Sequence, residues 1–144
     1  MGSRNSELNN VTDAMLVREF LWEIFPDWRQ SIVTLEEEER EVFASSLSEP
    51  PVGSYGLTSE IFVWKILESL FVGTQVDDLD LASRCATFID RLLGSERPTI
   101  VEMVSIRITD YLLGYPENWS RFQRFAGPLL HQEVDSRRPY FRDS

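Results

Sequence analysis

The chain holds one cysteine, one histidine and one lysine in 144 residues, and each scarcity removes a class of chemistry. Cys85 has no second thiol to bridge with, which fits a reducing compartment better than an oxidising one. His131 alone excludes metal sites built on two or three imidazoles, and thiol catalysis would need it beside Cys85. Cys85 instead falls on a helical stripe with Leu81 and Phe88, where a small thiol packs and reacts little. The seven glycines are scattered at helix ends and turns, so no phosphate-cradling loop exists.

Long apolar runs are missing too. None approaches the roughly 18 residues of a membrane span, and the first residues lack the basic and apolar regions of a signal peptide. The expected compartment is the cytoplasm. The opening MGSRNS matches the N-myristoylation pattern through Gly2 and Ser6, but a single acyl chain anchors marginally and only Arg4 lies nearby to help it.

Positive charge is the last deficit, with 14 basic residues against 24 acidic ones and a net charge of -10. Such a surface repels phosphate, so nucleic acid and anionic membranes are poor partners and a basic protein is a good one. The C-terminal SRRPYFRDS runs against this trend, with Arg137, Arg138, Tyr140 and Arg142 mixing base and aromatic. At this net charge it is expected to fold back onto the acidic body.

What is present is helical periodicity. Hydrophobic residues make up 42% of the chain, enough for one domain with its own core. Residues 1–11 form a polar tail, 12–135 a helical domain and 136–144 a basic tail. Thr12 opens a helix on which Leu16, Phe20 and Ile24 recur until Pro26, and Trp28 and Ile32 extend it past a kink. Thr34 and Glu37 have capping-box spacing, which predicts a new helix there with Val42, Phe43 and Leu47 on its apolar side. EPPVGSYG reads as a loop before a helix whose apolar residues, from Ile61 to Phe71, cover too wide an arc for the surface; that helix should be central.

Asp77, Asp78 and Asp80 then cap a helix with Leu81, Cys85, Phe88, Ile89 and Leu92 inward, closing at Gly94. Pro98 starts another, with Val101, Val104, Ile108, Tyr111 and Leu112 inward and Gly114 as its stop. Tyr115, Trp119, Phe122 and Phe125 precede Gly127-Pro128 and a last short helix. No segment alternates with period 2, so the class is all-α: about six helices in a compact bundle or a short array of helical hairpins.

Three features invite a functional reading. The aspartates at 77, 78 and 80 resemble diphosphate-binding metal motifs, but those lie mid-helix with carboxylates a turn apart, whereas these sit where a helix N-terminus needs them. With no nucleophile and base, metal constellation or phosphate loop, neither an enzyme nor a cofactor is expected. The run LEEEERE, Leu35 to Glu41, reads either as a solvated first turn or as an anionic patch of Glu36, Glu38, Glu39 and Glu41 with Glu37, joined by Glu19 and Glu23 if the helices adjoin. Tyr115 and Trp119, the latter just after Pro116, are the candidates for exposed aromatic anchors.

The rhythm of LVREFLWEIFPDW, of SRCATFIDRLLGSERPTIVEMVSIRITDYLLG, and of the PPVGSY loop before an apolar helix resembles the small acidic helical immunity proteins encoded beside bacterial polymorphic toxins. The resemblance spans residues 15–130, is one of pattern, and carries no binding residues across. It implies stoichiometric binding to a basic cognate toxin domain. A helical scaffold or adaptor that takes a peptide or partner helix in an apolar groove is the alternative.

Overall fold

A computed structural model describes residues 11–42 and 52–141, which form seven helices and no strand. Helix α1 spans Asp13–Ile24, and its N-cap Thr12 accepts from the Met15 amide at 3.1 Å. A single 3-10 turn, Pro26–Trp28, leads directly into α2, Arg29–Val42. Residues 54–71 form α3, which is π-helical over Leu57–Leu67 and tightens to 3-10 at Glu68–Phe71. Helix α4 is Leu79–Leu93. Residues 98–114 form α5, again π-helical over Ser105–Thr109. Two short helices follow, α6 at Pro116–Phe122 and α7 at Pro128–Arg137.

The expected central helix is central: α3 packs against α1, α2, α4 and α5. Its wide i→i+5 turns spread the buried positions over 57/58, 61–63 and 66/67, steps of four to five residues. The core closes on three phenylalanines, Phe25 at the end of α1, Phe62 of α3 and Phe88 of α4, with ring centroids 4.5 to 5.9 Å apart. Such tilted and edge-on contacts add to the burial energy. Leu67, Ile89 and Ile108 are fully buried around them, and so is Cys85. Burial pushes the Cys85 thiol far up from its ordinary value, with the charge of Asp78 adding to it.

Several expectations change in detail. No helix begins at Thr34: Pro26 and Asp27 already supply the start, and Thr34 lies inside α2, its hydroxyl accepting from the Gln30 side-chain Nε2 at 3.3 Å. Val42 is 71% exposed, not inward, and Phe43 and Leu47 lie outside the described residues. Ser54–Gly56 belongs to α3 instead of the preceding loop. Pro116 excludes a helical Tyr115, whose φ of -126° and ψ of 81° break α6 from α5. The basic tail starts inside α7, and Arg137 makes two hydrogen bonds to Asp110 at 3.0 and 2.7 Å, so at that residue the tail does return to an acid of the body. Asp78 caps α4 through the Leu81 amide at 3.0 Å. Among the described residues no group of three or more potential ligands could hold a metal ion, and no helix is long and apolar enough to cross a membrane.

Candidate functional site

The acid run fills the second half of α2, not its first turn. That placement inverts its local energetics. Near a helix N-terminus the glutamates would favour the dipole; toward the C-terminal end they oppose it, and Glu37 and Glu41 repel each other one turn apart. Arg40 is the single basic residue of the last turn.

One member of the run has a clear internal task. Glu36 is only 5% exposed, and Arg18 of α1 donates to it through Nε at 2.6 Å and Nη2 at 3.0 Å. The pair joins α1 to α2 and takes Glu36 out of any contact surface. Glu37, Glu38 and Glu41 are exposed and Glu39 is half-buried. The α1 acids Glu19 and Glu23 border a hollow of their own with Met15, Arg18 and Trp22, and no residue of the acid run lines it. Glu23 is already paired with Arg91 of α4 at 3.1 Å, and Trp22 lies under both Arg18 and Arg29.

The two aromatic candidates part ways. Trp119 is 6% exposed, edge-on to His131 at 5.3 Å, so it is a packing residue and not an exposed anchor. Its position in the first turn of α6 aims it back at α7, a direction that chain order alone does not reveal. Tyr115 is 48% exposed because the break before Pro116 swings it outward.

Tyr115 stands beside aromatic residues that sequence reasoning placed inward. Its ring is 5.3 Å from Tyr111, which meets Trp64 edge-on at 5.6 Å, and Trp64 is 50% exposed. These three, with Ile106, Arg107 and Asp110, line a hollow of about 300 Å³ between the π-helical stretches of α3 and α5. Asn118 donates to the Tyr111 hydroxyl at 3.3 Å and accepts from Arg121 at 2.7 Å, which fixes the central ring. Burial, then the charges of Glu68 and Tyr115, push the Tyr111 phenol up to about 12, so it stays neutral. A signal for Trp64 was in the sequence: Glu60, Trp64 and Glu68 recur every fourth residue, which puts the tryptophan in a charged stripe.

No known protein family matches the chain, and no curated protein or solved structure is significantly similar to it.

Proposed function

We propose that the chain is a protein-binding module and not an enzyme, and that its partner is a basic protein. The observation that carries this reading is the position of Glu37, Glu38 and Glu41: exposed, crowded and set against the dipole of α2. Charges kept where they weaken their own helix are expected at surfaces that serve something else. An anionic flank on a chain of net charge -10 accelerates encounter with a cationic surface and repels anionic ones.

The finer reading is an immunity-type protein of the bacterial cytoplasm that neutralises a cognate toxin domain by one-to-one binding. It draws its support from the acid surface together with the pattern of LVREFLWEIFPDW and the segments after it. The test is association of the chain with the product of the neighbouring gene, followed by stopped flow. Changing Glu37, Glu38 and Glu41 together to Gln leaves the Arg18–Glu36 pair intact and removes three exposed charges. This variant should associate on the order of tenfold more slowly at low salt, with the gap narrowing as salt is added. Equal rates at low salt would show that the run steers nothing. The exposed aromatic hollow favours the adaptor reading as the second choice, in which a peptide from any source binds without inhibition of a toxin.

A further inference from the structure

We propose that the hollow formed by Trp64, Tyr111 and Tyr115 is the anchoring site of a basic protein partner, receiving an apolar side chain at its centre while the partner's cations meet Glu60 and Glu68 at its edge. The inference rests on the reading of the chain as a binder of basic proteins and names where the docked partner is held. Three lines support it. Composition is the first: two half-exposed large aromatics flank a fixed tyrosine, and tryptophan and tyrosine are the residues that dominate binding energy at interface centres. Rigidity is the second. Asn118 and Arg121 hold Tyr111, and Asp110 is held by Arg137, so few side-chain rotamers remain to be ordered on binding.

Charge is the third, and it selects the occupant. Glu60 and Glu68 lie one turn to either side of Trp64, and both are exposed. Glu60 also borders a second hollow with Glu38 of the acid run, Leu35 and Lys65, so the α3 rim continues onto the flank that Glu37, Glu38 and Glu41 share. Of the nearby cations Arg137 is spent on Asp110, while Arg107, over Tyr55 at 5.3 Å, and the exposed Lys65 keep their charge, so the sign of the face is set by Glu60 and Glu68 together with Glu37, Glu38 and Glu41. A second copy of the chain would set acid against acid across such a face, whereas a cationic surface with one protruding apolar residue complements it. Steering and anchoring thus fall on separate elements, α2 for the first and the α3–α5 hollow for the second.

The experiment uses the full chain and three fluorescein-labelled peptides of equal length: Arg/Lys with Leu and Trp, Arg/Lys with Ser in place of Leu and Trp, and Glu with Leu and Trp. Anisotropy titrations should show saturable binding of the basic apolar peptide below about 1 mM, with at least tenfold weaker binding of the other two. Trp64→Ala and, separately, Tyr115→Ala should each weaken that binding by on the order of tenfold. Tyr115 is at the surface, so it keeps the test valid if Trp64→Ala unfolds, which circular dichroism would show. Glu60→Gln with Glu68→Gln should weaken binding several-fold at low salt and little at high salt. Three outcomes would overturn the proposal: no saturable binding, binding indifferent to both aromatic variants, or self-association of the wild type that Trp64→Ala abolishes. The Glu37, Glu38 and Glu41 variant separates this proposal from the one beneath it. Slower association of that variant with the neighbouring gene product, beside unaffected aromatic variants, would end the anchoring site and leave the binder of basic proteins standing. Loss of binding in the aromatic variants alone would do the reverse for the acid run.

Discussion

Replacing Arg18 by Met should destabilise the protein by about 3 kcal/mol, because it strands a carboxylate inside the α1–α2 interface. Removing one member of a buried pair costs roughly 3–5 kcal/mol, and the low end applies because the Arg18 side chain is itself 34% exposed and water can enter part of the space it leaves. The mirror change is milder. Glu36→Gln removes the charge but keeps an oxygen that can accept one of the two hydrogen bonds, and it leaves behind an arginine that already touches solvent, so about 1 kcal/mol is expected. Arg18→Met combined with Glu36→Leu should return to within about 1 kcal/mol of the wild type, since an apolar pair of similar volume needs no desolvated charge. Urea unfolding followed by circular dichroism measures all three, and the Arg18→Met deficit should appear as a fall in melting temperature of about 6–12 °C for a chain of this length. Arg18→Met within about 0.5 kcal/mol of the wild type would refute the argument, for it would mean that Glu36 is an ordinary solvated glutamate whose surface pairing is worth little.

Gly127→Ala should cost about 1–3 kcal/mol, because its new methyl would collide with the Asp90 carboxylate; Asp90→Ala in the same chain should recover most of the loss, as a thermal-melt double-mutant cycle would show. Burial raises the Asp90 carboxyl above its ordinary range, and its Oδ1 is buried with no partner. Stability should therefore fall as pH rises from the ordinary carboxylate range through the raised value, and a Tm-against-pH profile of Asp90→Ala should lack that fall. Glu96 has a left-handed φ of 60°, so Glu96→Gly should stabilise by about 0.5–1 kcal/mol in urea unfolding. Cys85 should react with a thiol reagent only on unfolding; rapid labelling of the native protein would show that the α4 stripe opens.

The fold was legible wherever periodicity and punctuation agreed. Leu81, Cys85, Phe88, Ile89 and Leu92 share one α-helical face and lie buried, with Asp78 as the cap that the acidic turn foretold. Legibility failed where two local signals competed or where period 3.6 did not hold. Thr34 and Glu37 have the spacing of a capping box, but Pro26 starts the helix earlier, and a threonine within a continuing helix has no free amide to cap. The central helix was recognised by its wide apolar arc, yet the same arc hid Trp64, although Glu60 and Glu68 four residues to either side marked its stripe as charged. Gly94 closes α4 as expected with φ of -81°, and the left-handed φ of the connection falls at Glu96, two residues on.

The start of α2 also decides how the acid run is to be read. Had the helix begun at Thr34, the dipole would have accounted for Glu36 to Glu39 and left nothing to explain. With the start at Arg29, the same residues fall into two sets of different physical character. Glu36 faces α1 and is held by Arg18, so its charge is a matter of folding. Glu37, Glu38 and Glu41 face water on the half of the helix where acid is unfavourable, so folding gives no reason for them. Neutralising the first set should therefore change stability, and neutralising the second should change association. If the Glu37, Glu38 and Glu41 variant melted well below the wild type, that division would be wrong, and the exposed run would be part of what holds α2 together.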